Sequence, residues 1–110
     1  MERERYRKLI KSILEKHSEG DNKDGEIETK IAFDLVRDRY LMFHVGWSGE
    51  RRVFGCVIYV EIRSGKFWIQ RDGTEAGIAY VLIAAGVPKS DVVIGFRSLY
   101  MRKFTGFATG

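Results

Sequence analysis

The sequence predicts an α+β domain: an N-terminal helix, a four-stranded antiparallel β-meander, a second helix packed on one face, and a short C-terminal segment and tail. The length of 110 residues suits a single domain, so residues 1–110 are assigned to one unit. Hydrophobic residues make up 45% of the chain, which is enough to build a core. The hydrophobic period changes from helical to two-residue near residue 26 and changes back after residue 72.

An amphipathic helix is predicted over residues 4–17. Its apolar side chains recur at i, i+3, i+4 and i+7 spacing and define one buried stripe: Tyr6, Leu9, Ile10, Ile13 and Leu14. Gly20 is expected to stop the helix, because glycine commonly follows a last helical turn. The polar stretch 19–25 has no periodicity and is predicted to be a loop.

Four strands are predicted next. Residues 27–35 alternate between apolar and polar side chains, as a half-buried strand does. Residues 39–47 are apolar at nearly every position, and residues 52–62 are long and β-branched. Ser64-Gly65 suits a tight hairpin leading into a strand at 66–70. Short connections between consecutive strands indicate an antiparallel meander.

The second helix is predicted to begin at a capping box. Asp72 would be its N-cap residue, with Glu75 three positions later, and the helix would run to about Ala85. Gly86 and Pro88 are expected to end it. Residues 92–94 form a short apolar run that suits either a strand or a helical turn, and residues 99–110 form the tail.

The hairpin register predicts which side chains share a face of the sheet. If Arg63 pairs with Lys66, strict alternation builds one apolar face from Phe54, Cys56, Ile58, Val60, Ile62, Phe67 and Ile69. The opposite face is apolar too, and it would hold Val53, Val57, Tyr59 and Trp68. Two short helices cover only one face. The other is therefore expected either to bind a partner or to be covered by the C-terminal tail.

The tail mixes aromatic and basic side chains. This composition is typical of protein interfaces, although single-stranded nucleic acid or simple packing would also suit it. Together with the second sheet face, it gives the candidate interface residues: Val53, Val57, Tyr59, Trp68, Tyr100, Arg102, Phe104 and Phe107.

No catalytic or metal-binding pattern stands out. Glu28-Thr29-Lys30 resembles half of a metal-dependent nuclease motif, but no acidic residue lies on an adjoining upstream strand to share the ion. His17, His44 and Cys56 lack the spacing of metal ligands. The sequence therefore predicts a protein that is not an enzyme, with no catalytic residues, no metal and no cofactor.

Charge and composition also bound the environment of the chain. The net charge is only +4, with basic ends and an acidic segment at 18–34, so DNA contact is expected to be weak. No apolar run approaches the roughly 20 residues of a membrane-spanning helix. Met1 is followed by charged residues rather than by the apolar region of a signal peptide, and Cys56 is the single cysteine. We expect a cytoplasmic protein without a membrane partner.

A long series of motifs then resembles one family. They are Val45-Gly46-Trp47, Arg52, Gly55-Cys56-Val57-Ile58, Ile62-Arg63, Gly65-Lys66, Trp68-Ile69-Gln70, Asp72-Gly73-Thr74-Glu75, Gly77-Ile78-Ala79, Ala85-Gly86-Val87-Pro88-Lys89-Ser90-Asp91, Gly95-Phe96, and Tyr100 with Thr105-Gly106-Phe107. The sequence resembles the XisI family, the cyanobacterial fdxN-element excision controlling factors. The resemblance covers nearly the whole chain and is strongest over 45–107.

The resemblance implies a role in programmed DNA rearrangement during heterocyst differentiation. In that family, an XisH-like partner and a site-specific recombinase take part, and the recombinase performs the strand chemistry. The implied function is a non-enzymatic controlling factor that acts by protein–protein association. Two alternatives are a DNA-binding architectural factor of the excision complex and an inhibitor of a nuclease-like partner. Independently of the resemblance, the apolar second face of the sheet predicts a homodimer or higher homo-oligomer that uses this face or the aromatic tail.

Overall fold

The helices and strands follow one another in an order close to the predicted one. A computed structural model describes residues 2–20 and 26–110. Its elements are helix α1 (Glu2–Gly20), strands β1 (Ile27–Asp34), β2 (Arg39–Ser48), β3 (Arg51–Arg63) and β4 (Lys66–Asp72), helix α2 (Ile78–Ala84), strand β5 (Val92–Ile94) and helix α3 (Leu99–Arg102). The α+β prediction is confirmed.

The predicted N-terminal helix is present and longer than expected. Its helical hydrogen bonding continues through Gly20, so residues 19 and 20 belong to α1 rather than to the predicted loop. The rest of that loop, residues 21–25, lies outside the described residues. Tyr6, Ile10, Ile13 and Leu14 are buried, which confirms the apolar stripe.

The sheet has five strands in the order β1-β2-β3-β4-β5. The first four form the predicted antiparallel meander. Residues 92–94 form a strand, and this fifth strand runs parallel to β4. Helix α2 lies in the crossover that such a parallel connection requires. Ala108 of the tail extends this edge through a bridge to Val93.

The β3–β4 hairpin has the predicted register. Arg63 pairs with Lys66, and Ile62 faces Phe67. Ser64 and Gly65 both have positive φ, 52° and 75°, as a two-residue turn with the right-handed twist of a hairpin requires.

The core lies between the sheet and the two longer helices. It is built from α1, α2 and the strand positions that face them: Tyr6, Ile10, Ile13, Leu14, Tyr40, Met42, Ile58, Val60, Ile62, Phe67, Ile69, Ile78, Ala79, Leu82, Val87, Val92 and Ile94. The Tyr6 hydroxyl donates a 2.5 Å hydrogen bond to Asp91, which ties α1 to the segment before β5. Burial, together with this bond, raises the pKa of Tyr6 to about 12.

A β-bulge in β3 corrects the predicted sheet faces. Met42 pairs with Ile58 but the next residue, Phe43, pairs with Cys56, so Val57 is an extra residue in β3. A bulge reverses the alternation beyond it. Phe54 and Cys56 therefore lie on the outer face, which is the face of the sheet turned away from α1 and α2. Phe54 is 70% exposed, and the prediction that these two residues join the core is wrong.

The same bulge moves two candidate interface residues to the helix side. Val57 packs against the core, and Val53 follows it by two-residue alternation. The prediction that Val53 and Val57 share a face with Tyr59 and Trp68 is therefore wrong. Strict alternation cannot hold along a strand that contains an inserted residue.

The predicted capping box is also wrong, although Asp72 does bind the start of α2. Asp72 ends β4, and α2 begins at Ile78 with Gly77 as its N-cap residue. The Asp72 carboxylate accepts the Ile78 N–H at 2.7 Å from six residues away, and it also accepts the Thr74 N–H at 2.9 Å. The predicted end is confirmed, because Gly86 follows the last turn with φ +99°.

Candidate interaction surface

One half of the outer face is a polar network centred on Glu61. Its carboxylate accepts hydrogen bonds from the Tyr59 hydroxyl at 2.9 Å and from Gln70 Nε2 at 3.0 Å. Arg39 and Arg63 form ion pairs with it at 3.4 and 3.5 Å. Burial raises the pKa of Glu61, but these hydrogen bonds and cations outweigh it and lower the pKa below its ordinary value. Tyr59 is thus held in a network within the chain.

Trp68 lies on the outer face under two guanidinium groups. The Cζ atom of Arg63 is 4.0 Å from the ring centroid, and that of Arg102 is 5.3 Å away. The C-terminal Gly110 approaches the same ring so closely that a Cβ there would lie 3.1 Å from Trp68 Cη2. Of the two alternatives for this face, coverage by the tail is the one observed at Trp68.

Arg102 and Phe107 hold the tail in place. Arg102 donates to the backbone carbonyls of Arg97 at 3.0 Å and of Gly95 at 3.4 Å. Phe107 packs against the core and lies edge-on to Tyr80, with ring centroids 5.9 Å apart. These two candidate residues therefore have structural contacts of their own.

Tyr100 and Phe104 are exposed, by contrast. They belong to an apolar surface on and after α3, which we call the tail patch: Leu99, Tyr100, Met101 and Phe104. The Tyr100 and Phe104 rings meet edge to face at 5.7 Å, and Lys103 Nζ lies 4.3 Å from the Tyr100 centroid. The tail patch presents aromatic area beside a cation.

A second exposed surface lies on the outer face beyond the bulge. It consists of side chains at the far end of the β2–β3 hairpin, and we call it the hairpin patch: Phe43 and Val45, which are half-buried, and Trp47 and Phe54, which are exposed. The Phe43 and Phe54 rings are 6.1 Å apart. Arg52 pairs with Trp47 and places its Cζ atom 5.2 Å from the indole centroid. Neighbouring strands thus present a continuous aromatic surface with a guanidinium at its rim.

The sequence reasoning missed the hairpin patch, although one signal pointed to it. Residues 39–47 are apolar on nearly every position, and such a strand must place apolar side chains on both faces. The core takes only Tyr40 and Met42 from β2. Phe43, Val45 and Trp47 are therefore left on the outer face.

Two of the polar groups noted in the sequence, Glu28 with Lys30 and His17, have contacts within the chain. Within residues 2–20 and 26–110, no three His, Cys, Asp or Glu side chains lie together in a way that could hold a metal ion. Lys30 Nζ forms a 2.9 Å ion pair with Glu28 on the outer face of β1. His17 Nδ1 lies 3.0 Å from the Ile13 carbonyl oxygen one turn earlier in α1.

None of the described helices is both long enough and apolar enough to cross a membrane.

The family of the chain follows from its match to a known family. The family model of the XisI protein matches residues 1–109. The chain belongs to the XisI family. The family resemblance seen in the sequence is therefore confirmed, and the exposed hairpin and tail patches are features of a XisI protein.

Two solved XisI structures have the same fold. An XisI-like protein from Anabaena variabilis ATCC 29413 is 33% identical, with a TM-score of 0.92 over 96% of this chain and 97% of that one. The fdxN element excision controlling factor XisI from the same organism is 32% identical, with a TM-score of 0.87 over 100% of both chains. No curated protein matches the chain.

Proposed function

We propose that this XisI-family chain is a non-enzymatic controlling factor for the programmed excision of a DNA element. It acts by associating with an XisH-like protein and with the site-specific recombinase that performs the strand chemistry. The basis for excision is the match over the full length of both chains to a protein described as the fdxN element excision controlling factor XisI.

The hairpin patch is the basis for proposing that the chain acts by associating with other proteins. Trp47 is 48% exposed and Phe54 is 70% exposed, and both stand on paired strands rather than on a loop. Monomeric proteins seldom leave a contiguous aromatic surface uncovered unless it has a binding role. Trp and Arg are also the residues that most often dominate the energy of an interface, and Arg52 stacks over Trp47 here.

The position of the patch favours tight binding by a rigid surface. β pairing holds the backbone that carries the hairpin patch, so a partner orders little main chain when it binds. Phe54 would enter an apolar pocket of the partner, and Arg52 would meet an acidic group at its rim. The XisI chain then contributes position and specificity, while bond cleavage and joining belong to the recombinase.

DNA contact has a minor place in this proposal. A net charge of +4 provides few phosphate contacts, and each contact contributes about 0.9 to the slope of log affinity against log salt concentration. The Arg52 and Arg63 guanidinium groups are already stacked on Trp47 and Trp68.

Co-expression with the neighbouring XisH-like protein, followed by affinity purification through a tag on this chain, tests the proposal. The unmodified chain should retain the partner. Phe54→Glu should lose it, because the substitution forces a carboxylate into the buried centre of the interface. The matched control is Val36→Glu, since Val36 is 84% exposed in the turn between β1 and β2. Circular dichroism confirms that both variants fold.

Other results would count against partner association. Retention of the partner by Phe54→Glu would remove the hairpin patch from the interface, and Tyr100→Glu would then test the tail patch. Sub-micromolar, sequence-selective DNA binding by the purified chain at physiological salt would favour the architectural alternative. Divalent-ion-dependent cleavage of plasmid DNA, lost in Glu28→Ala, would contradict a non-enzymatic role.

A further inference from the structure

The first strand has an open edge in the described part of the chain, residues 2–20 and 26–110. β1 is the end strand of the sheet, and no strand in the described part of the chain pairs with its far side. The Trp47 N–H donates to the Glu26 carbonyl at 3.0 Å, which makes these residues a hydrogen-bonded pair. Antiparallel pairs alternate, so the backbone groups of Ile27 and Ile31 point away from β2. An edge of this kind is a template for another strand.

The side chains along this edge are self-complementary in charge and polarity. Glu28 and Lys30 lie on the outer face and are 67% and 51% exposed at the side chain. Ile27 and Ile31 lie on the helix side and are half-buried. An acid and a base two residues apart, flanked by two isoleucines, form a pattern that matches its own antiparallel copy.

We propose that two copies of the chain pair through antiparallel β1 edges about a two-fold axis at Thr29. In this register, Glu28 of each copy faces Lys30 of the other on the outer face. Ile27 of each copy faces Ile31 of the other on the helix side. Two five-stranded sheets then become one ten-stranded sheet. Two intermolecular ion pairs and two apolar pairs stabilise the join.

Charge disfavours the neighbouring registers on both sides. An axis at Glu28 places that glutamate opposite its own counterpart. An axis at Lys30 places that lysine opposite its own counterpart. An axis at Ile31 places Glu28 opposite Asp34, which brings carboxylates together on both sides of the axis. Like charges directly opposite each other destabilise a strand pair.

An axis at Ala32 would place Lys30 opposite Asp34, but Asp34 is already engaged. Its Oδ1 accepts the backbone N–H groups of Val36 and Arg37 at 3.1 and 3.0 Å. Its Oδ2 binds Arg37 Nη1 at 3.2 Å. The carboxylate thus closes the turn after β1, whereas the exposed Glu28 side chain pairs only with the exposed Lys30 two residues away on the described strand, and it can exchange that lysine for Lys30 of the second copy.

Dimer formation would also bring the two hairpin patches onto one surface. Strand β2 of one copy and β2 of the other would be separated by three strand spacings, about 14 Å. A partner could then contact both patches at once. The dimer itself follows from the edge of β1 and does not depend on the proposed function.

Charge reversal tests the register. Sedimentation equilibrium at low salt should give a dimer for the unmodified chain at tens of micromolar. Glu28→Lys alone and Lys30→Glu alone should each weaken dimerisation at least roughly tenfold, since like charges then meet at two places. An equimolar mixture of the two variants should recover the dimer, because every facing pair again joins opposite charges. A contact within one chain would not be repaired by mixing.

The control exchanges an exposed ion pair elsewhere. Glu2 and Arg5 lie one turn apart on α1 with a 2.9 Å contact, and Glu2→Lys should leave the dimer mass unchanged. A monomer mass for the unmodified chain at these concentrations would overturn the proposal. Dimers in both single variants, or a mixture that stays monomeric while circular dichroism shows folded chains, would overturn it as well. Loss of the XisH-like partner in Phe54→Glu is read by co-purification and is therefore separable from these outcomes.

Discussion

Arg7 donates two hydrogen bonds to Asp38, and these join the N-terminal helix to the turn between β1 and β2. Arg7 Nε donates to Oδ1 at 2.6 Å, and Nη2 donates to Oδ2 at 3.1 Å. Arg3 and Tyr40 donate to the same carboxylate. Asp38 is only 3% exposed and has φ +54°, so the turn places a buried charge where two arginines of one helix reach it.

Replacing Asp38 by asparagine should destabilise the fold. Asparagine tolerates the left-handed backbone of this turn, so the change removes the charge without adding backbone strain. It leaves Arg7 and Arg3 without their counter-ion, and we expect a loss of about 2–3 kcal/mol in the free energy of unfolding. Urea denaturation measures this loss of stability. Glu2→Gln, which breaks an exposed ion pair to Arg5, serves as the unchanged control. Equal midpoints for the two variants would contradict the role of Asp38.

The contribution of Asp38 should disappear in acid. Burial raises the pKa of this carboxyl, but hydrogen bonds from Arg7, Tyr40 and Arg3 outweigh burial, so its pKa in the folded chain lies below the ordinary 3.8. A lowered folded pKa stabilises the fold above the unfolded value, and this stability is lost as the pH falls through the folded pKa. Stability differences between the unmodified chain and Asp38→Asn should therefore be constant above about pH 5 and shrink below pH 3.8. A difference that grows in acid would refute this sign.

Gly46→Ala should be far more damaging than Gly55→Ala, although both glycines lie on the same hairpin. A Cβ at Gly46 would lie 1.9 Å from the Glu26 carbonyl oxygen and 2.7 Å from Ile27 Cα, both rigid backbone atoms. A Cβ at Gly55 would meet nothing within 4 Å. We expect Gly46→Ala to cost at least about 3 kcal/mol or to prevent folding, and Gly55→Ala to stay within about 0.5 kcal/mol of the unmodified chain. Thermal unfolding of the two variants, compared with the unmodified chain, tests this prediction.

Cys56 should react with a thiol reagent without unfolding of the chain. The bulge turns it to the outer face, where it is exposed. Burial of part of the side chain raises the pKa of its thiol above the ordinary 9.0, so the labelling rate should continue to rise beyond pH 9. Stoichiometric labelling in buffer, compared with labelling in denaturant, is the measurement. A native chain that labels only as fast as it unfolds would place Cys56 in the core.

Helices and strands were predictable from the sequence because local patterns specify them. The apolar stripe of α1 and the Ser64-Gly65 turn act over a few residues, and both are observed as expected. The sequence does not distinguish a strand from a helical turn at β5, because three apolar residues carry no period that separates the two. Only its pairing with β4 decides that question.

The surface was harder to predict because one inserted residue changes it. Val57 and Ile58 are both β-branched and apolar, so the sequence gives no mark of the position at which alternation breaks. The break transfers Phe54 to the outer face and Val57 to the core side. The tail residues divide for a similar reason, because contacts distant in sequence place Phe107 in the core and leave Phe104 exposed.

The bulge at Val57 divides β3 into two parts whose side chains are constrained in different ways. Toward Arg63, the inward side chains must fit α1 and α2, and a change of volume there disturbs the packing of the whole domain. Toward Arg51, the outward side chains of Phe54 and Arg52 contact the rings of Phe43 and Trp47 on the other strand of the hairpin. A chain of this fold can therefore acquire a new binding specificity by substitutions at that end of the hairpin, with no compensating change in its interior.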